Sequence, residues 1–198
     1  MVDRKRILDR ELRHALTKED CYTIMDYLMV EFSDRKDYHY NYYFDTPDGS
    51  LSKRDTTLRL RTVVKDRDIS YHLTLKVSTI DEDTHLEYHQ RLDEKEMRLL
   101  AYNNILPQGE IAELTSIHGG KVQLVNVIKV NRVFAMYLDQ QVFFDRISHR
   151  GKTYYEIGTR IDQSKNGETE RLISQFKELL KKFDITFKQA DRRSEKFK

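Results

Sequence analysis

Two short segments of the chain alternate basic and apolar side chains, a spacing that could serve chemistry on anions. Residues 58–61 read Leu-Arg-Leu-Arg and residues 73–76 read Leu-Thr-Leu-Lys. Because successive side chains of a β-strand point to opposite faces, Arg59 and Arg61 share one face about 7 Å apart. Two such strands predict a basic surface backed by an apolar one. In the second segment the polar face carries His72, Thr74 and Lys76.

Another charged alternation lies near the start of the chain, at Asp9, Glu11 and Arg13. If this segment is a strand, two carboxylates and one guanidinium lie on the same face. The alternative is a solvated, charged segment with no role in a site.

The composition fits a globular protein with unusually many charges. Of the 198 residues, 34% are charged and 38% are hydrophobic, so much of the charge must be accommodated rather than only displayed. Lys and Arg number 35 against 33 acidic residues, a formal net charge of +2. A protein that binds nucleic acid through bulk charge is usually more one-sided, so the composition argues against that class.

The sequence also bears on the compartment. Cys21 is the one cysteine, which excludes an internal disulfide and favours a reducing environment. The first nine residues lack an apolar signal region, and the longest apolar run covers residues 133–138. We therefore expect a soluble, cytoplasmic protein that does not enter a membrane.

The hydrophobic spacing predicts an α+β fold in one domain covering residues 1–198. A helix is expected from Thr17, a favourable N-cap, to about residue 32, and a final helix opens at Gly167 with an apolar face for the core. Two shorter helices are expected at residues 93–102 and 106–120. Alternation predicts strands at residues 7–13, 40–45, 58–61, 71–77, 84–92, 122–127, 129–138, 141–147 and 152–162.

Charged faces on most of these strands fit a closed antiparallel β-barrel with a polar lumen and an apolar outer wall covered by helices. Buried cations repel one another unless anions separate them. A lumen of Arg, Lys and carboxylate groups is therefore explained if it holds a polyanion and a metal ion, which suggests a phosphate tunnel.

The ordered set of motifs resembles the CYTH superfamily, also called triphosphate tunnel metalloenzymes, and in particular its small bacterial members. The resemblance covers residues 7–197, and its most specific part is Tyr-Phe-Asp-Thr-Pro-Asp at residues 43–48 followed by the Arg-x-Arg strand. It implies an eight-stranded antiparallel tunnel, Mg²⁺ or Mn²⁺ as cofactor, and triphosphate or a nucleoside triphosphate as ligand.

The resemblance also implies roles for individual residues. Cations that match its phosphate-binding positions are Arg13, Arg59, Arg61, Lys76, Arg132 and Arg193. Carboxylates that match its metal-binding positions are Asp9, Glu11, Glu87, Asp145 and Glu156. Among the latter, the candidate general bases are Glu11, Glu87 and Glu156.

The chain departs from the family pattern at two acidic positions. Gly158 follows Glu156 where the family often repeats Glu-x-Glu, and His89 stands two residues after Glu87 where a second acid is common. Fewer oxygen ligands should weaken Mg²⁺ binding. Gly158 is interpreted either as a missing metal ligand or as a β-bulge.

The predicted function is therefore binding of triphosphate compounds with metal-dependent hydrolysis of the terminal phosphate. The alternatives are a non-catalytic polyphosphate- or nucleotide-binding module with a degenerate metal site, and cyclisation of ATP as in adenylate cyclases. The sequence sets neither the substrate nor the oligomeric state.

Overall fold

The computed structural model describes residues 3–5, 9–33, 37–65, 68–78, 85–116, 122–162 and 168–191. These residues form two compact units. The first unit comprises the described parts of residues 3–5 and 39–128, and the second comprises those of residues 9–38 and 129–191. That the chain is one domain stays a prediction.

The described residues form nine strands and five helices. The strands are β1 (Asp3–Lys5), β2 (Asp9–Leu16), β3 (Asp37–Asp45), β4 (Thr56–Lys65), β5 (Asp68–Ser78), β6 (His85–Leu92), β7 (Gln123–Tyr137), β8 (Gln140–His149) and β9 (Lys152–Asp162). The helices are α1 (Lys18–Tyr27), α2 (Ser50–Lys53), α3 (Glu94–Asn103), α4 (Glu110–Ser116) and α5 (Thr169–Lys181). None of the described helices is long and apolar enough to cross a membrane.

The strands hydrogen-bond in the order β1-β6-β5-β4-β3-β7-β8-β9-β2. The registers that the structure describes are all antiparallel. The antiparallel sheet with flanking helices is therefore confirmed. This order ends at β1 and at β2, so closure of the sheet into a barrel stays a prediction.

The core of the first unit confirms the alternation in the sequence. Leu58 and Leu60 of β4 and Leu73 of β5 are fully buried and join one cluster with Leu100 of α3 and Ile111 of α4. The leucine face of these strands therefore meets the helices. Because neighbouring side chains alternate, the charged residues lie on the opposite face.

The core of the second unit forms where α1 and α5 pack on the sheet. Ile24 of α1 and Phe176 of α5 are fully buried in one cluster with Phe144 of β8 and Ile157 of β9. The apolar face predicted for the last helix is thus a core face. At the start of α1, Thr17 Oγ1 accepts a hydrogen bond of 3.0 Å from the backbone N–H of Asp20, which confirms the predicted cap.

The Asp-Thr-Pro-Asp turn after β3 is built around a buried carboxylate. Asp45 Oδ1 accepts hydrogen bonds from the backbone N–H groups of Thr46 at 2.7 Å and of Leu51 at 3.0 Å. Thr46 Oγ1 accepts another from Ser50 at 2.7 Å. These bonds satisfy donors at the start of α2, a helix that the sequence did not predict. The motif that most strongly indicated the family thus has a structural role at this turn.

Some predicted elements differ from the observed ones in their bounds. Helix α1 ends at Tyr27 rather than near residue 32, because Met29 has a left-handed backbone with φ of 53°. Phe32 nevertheless reaches the same core, which explains its apolar spacing. The two strands predicted at 122–127 and 129–138 are one strand of 15 residues, β7.

Candidate functional site

One face of β4, β5 and β6 in the first unit concentrates basic side chains; we call it the cationic face. Cross-strand register defines its three rows, since residues directly opposite one another point to the same side. The rows are Thr57–Lys76–Glu87, Arg59–Thr74–His89 and Arg61–His72–Arg91. Four Arg or Lys residues therefore stand with one carboxylate in these rows. The predicted phosphate-binding residues Arg59, Arg61 and Lys76 lie together here.

The two arginines of β4 differ in how they are held. Arg61 Nε donates a 2.8 Å hydrogen bond to Oδ1 of Asn41, whose own amide donates to the carbonyl of Ile128 at 3.3 Å. Arg59 Nε is buried and has no hydrogen-bond partner among the described residues. A buried donor without an acceptor costs free energy, so this guanidinium is poised to gain one.

Glu87 is the acid of the cationic face. Its carboxylate lies 3.1 Å from Lys76 Nζ and 3.1 Å from His89 Nε2, and the imidazole is misaligned for a hydrogen bond. Burial acts to raise the pKa of Glu87, but His89, Lys76 and Arg59 together outweigh burial and lower the pKa to about 2. Glu87 is thus ionised across the physiological range and balances part of the positive charge.

The imidazole of His72 lies among positively charged groups. Its pKa is lowered, first by burial and then by the positive charges of Arg91, Arg61, His89 and Arg59. The cationic face therefore resists a further proton at this position, as expected where cations exceed acids.

A different arrangement of charges lies in the second unit; we call it the ion-pair cluster. Arg132 donates two hydrogen bonds of 2.7 Å to the two carboxylate oxygens of Asp145, and both side chains are buried. Arg13 donates to Glu156, also buried, at 3.4 Å. Glu11 lies 3.6 to 3.8 Å from three guanidinium groups, those of Arg13, Arg132 and Arg160.

The ion-pair cluster is internally compensated, in contrast to the cationic face. A bidentate buried pair such as Arg132–Asp145 is strongly destabilised when one partner is removed, by about 3–5 kcal/mol. Arg13 is held further because its Nη2 donates to the carbonyl of Asp191 at 3.3 Å. The predicted phosphate-binding residues Arg13 and Arg132 are thus engaged within the protein. The other predicted one, Arg193, lies outside the described residues.

The position of Gly158 is explained by an aromatic ring. A Cβ atom there would lie 2.4 Å from a ring carbon of Phe143 and 2.7 Å from the carbonyl oxygen of Leu12. The Phe143 ring in turn stacks on Arg132, whose Cζ lies 3.6 Å from the ring centroid. The register runs through Gly158 without interruption on both sides. There is thus no bulge, and the ring of Phe143 fills the space that a side chain here would need, whereas the missing-ligand interpretation stays a prediction.

The described carboxylates do not fit a divalent cation well. In the described part of the chain, no three His, Cys, Asp or Glu residues are grouped so that they could hold a metal. Asp145 and Glu156 already accept hydrogen bonds from arginines, and Glu87 is paired with Lys76. Of the two remaining predicted ligands, Glu11 lies near three guanidinium groups and the side chain of Asp9 lies outside the description. No reaction step is therefore derived through a metal.

The CYTH domain family model matches residues 29–194 of this chain. The chain belongs to the CYTH family. The resemblance seen in the sequence is therefore confirmed. A comparison with curated protein sequences found no match.

Solved CYTH-like structures share the fold. A candidate adenylate cyclase from Bacillus halodurans superposes with a TM-score of 0.77 at 23% identity, covering 98% of each chain. A candidate adenylyl cyclase from Hippeastrum, described as having a dominant triphosphatase activity, gives 0.69 at 18% identity over 93% of this chain and 92% of that one. The protein PH1819 from Pyrococcus horikoshii gives 0.59 at 19%, covering 96% of each chain.

The sequence did not assign a role to Arg91 and His72 of the cationic face or to Asn41 of β3, which holds Arg61. Arg91 and His72 follow the alternation of their strands, so strand parity alone could have included them in the site. The CYTH motifs in this sequence include neither Arg91 nor His72. Asn41 gave no comparable signal, because its contact with Arg61 joins two strands, β3 and β4, and spacing within one strand does not show such a contact.

Gly158→Ala should lower the free energy of unfolding by about 1–3 kcal/mol, because its methyl group overlaps Phe143 and the backbone of Leu12. Chemical denaturation measures this. The double variant with Phe143→Leu should recover part of the loss, since the ring contact is relieved and the backbone contact stays. Unchanged stability of Gly158→Ala would contradict the close packing.

Stability should depend on pH through Glu87. Its pKa is 4.5 in the unfolded chain and about 2 in the folded one, so its contribution is present above pH 4.5 and is lost as pH falls toward 2. We expect Glu87→Gln to be less stable than the wild type at pH 7, on the order of 2 kcal/mol. By pH 3 this difference should shrink to less than about half. Denaturant unfolding at both pH values checks this, and a constant difference would argue against the ion pairing.

Proposed function

We propose that this CYTH protein binds triphosphate-containing compounds on the cationic face of its first unit. The observation that carries the proposal is the excess of Arg and Lys over carboxylates in the three rows, together with the buried Nε of Arg59, which has no acceptor among the described residues. A phosphate oxygen supplies both an anion and an acceptor. Hydrogen bonds between guanidinium and phosphate are among the strong ones, because both partners are charged.

The contacts of the cationic face support phosphate as the ligand class. Arg61 is oriented by Asn41, so less side-chain freedom is lost when it binds. Lys76 is flexible and half-exposed beside Glu87, and can turn toward a ligand as a point charge. An arrangement with two arginines and a lysine matches the planar and the point-charge modes of phosphate recognition.

We further propose that the bound compound is hydrolysed at its terminal phosphate, with inorganic triphosphate or a nucleoside triphosphate as substrate. Family membership supports this, and the Hippeastrum relative is described as a triphosphatase. A requirement for Mg²⁺ or Mn²⁺, catalytic roles for Glu11, Glu87 and Glu156, the tunnel and the cytoplasmic location are parts of the proposal that rest on the sequence. Asp145 and Glu156 already accept hydrogen bonds from arginines. The structure therefore supports binding of the compound more than its hydrolysis.

The two functions are separated by measuring binding and phosphate release on one preparation. Calorimetry with inorganic triphosphate tests binding, and phosphate release is followed with triphosphate, ATP, GTP and thiamine triphosphate, each with Mg²⁺ or Mn²⁺. Binding with release supports a triphosphatase, and binding without release supports the non-catalytic module. Formation of cyclic AMP from ATP would identify a cyclase. If none of these compounds binds, the proposal is refuted.

Arg59→Ala and Arg61→Ala should each weaken triphosphate binding by roughly 10- to 100-fold, the scale of a lost hydrogen bond between charged groups, about 1.5–3 kcal/mol. The matched control is Arg98→Ala, which removes an exposed arginine of α3 that pairs with Glu94. Arg67, which the sequence predicts in a solvated hairpin loop, would be another control but lies outside the described residues. Equal losses for all three variants in calorimetric titration would contradict the assignment to the cationic face.

A further inference from the structure

The row Arg61–His72–Arg91 differs from the rest of the cationic face. Arg61 stands directly opposite His72, and His72 stands directly opposite Arg91. Side chains opposite one another have Cβ atoms about 5 Å apart, so a protonated His72 would stand between two guanidinium groups and be disfavoured by like-charge repulsion. The Lys76 row relieves this with Glu87, whereas the Arg61 row contains no carboxylate. The fold alone does not explain three basic residues in register.

The contacts of this row leave it open to a ligand. Arg91 is exposed and forms no ion pair with any other described residue. His72 places its Nε2 3.0 Å from Ser70 Oγ, on its own strand. Nearby on the same face, Arg59 Nε also lacks an acceptor. Arg91 and Arg59 Nε are therefore hydrogen-bond donors that have no acceptor among the described residues, and an anion would supply one.

We propose that His72 and Arg91, together with Arg61, form a further phosphate subsite, and that His72 takes up a proton when a phosphate group of triphosphate occupies it. This inference rests on the proposed function, because the ligand is the same. It adds to the binding machinery two residues that the CYTH motifs do not include.

The proton follows from the charges around the imidazole. The groups that face His72 are Arg59 and Arg61 of β4 and His89 and Arg91 of β6, while Lys76 and Asp68 each lie four residues away on the same face of its own strand. Burial and these neighbours lower the pKa of His72, so near neutral pH it is uncharged in the free protein. A phosphate group beside it reverses the local potential and raises that pKa. The imidazole then accepts one proton from the buffer and becomes an imidazolium that donates to phosphate.

The experiment is calorimetry of inorganic triphosphate at pH 6.5 without metal, in two buffers of different ionisation enthalpy. The difference between the measured heats gives the protons taken up. We expect net uptake by the wild type, with at least half of it lost in His72→Gln. Arg91→Ala should weaken binding by roughly tenfold, as for one charged contact, while Arg98→Ala should leave affinity and uptake unchanged.

A second measurement keeps the inference testable if a variant folds poorly. The imidazole resonance of His72 in the wild-type protein, followed by NMR over a pH series, should titrate at higher pH when triphosphate is present. Binding with an unmoved His72 titration, or with the same uptake in His72→Gln, would overturn the subsite and leave the proposed function standing. If the wild type binds no triphosphate, both fail.

Discussion

The antiparallel register of β4, β5 and β6 is the constraint on which the account depends. It places leucines against α3 and α4 on one side and gathers arginine, lysine and histidine on the other. Burial of the leucine face fixes the register, because a slip by one residue would turn the charges into the core. The cations are therefore held close together by hydrophobic packing, at an electrostatic cost that a bound anion would remove.

In the second unit, by contrast, the buried charges are paired with one another. Arg132 is enclosed by Asp145 and by the ring of Phe143, and Arg13 by Glu156 and the backbone of Asp191. Each buried cation there has a carboxylate within reach, which is what a low-dielectric interior requires. Arginines are thus present in both units. What distinguishes the candidate ligand site is its smaller number of carboxylates, not the presence of arginine.

The sequence predicted the sheet well because alternation is a local signal. The parity of Arg59 and Arg61, the capped start of α1 and the core face of α5 all follow from spacing within one element. The pairing of Arg132 with Asp145 and the filling of space at Gly158 by Phe143 depend on contacts between strands. Such contacts leave no periodic trace, so the spacing of residues cannot show that the ring of Phe143 fills the space beside Gly158.

The most direct test of the central claim is a crystal structure of the protein with inorganic triphosphate. We predict phosphate oxygens within about 3 Å of Arg59 Nε and of the Arg61 guanidinium, with Lys76 turned toward the ligand. Triphosphate bound elsewhere, with the cationic face unchanged and Arg59 Nε still without an acceptor, would contradict the account.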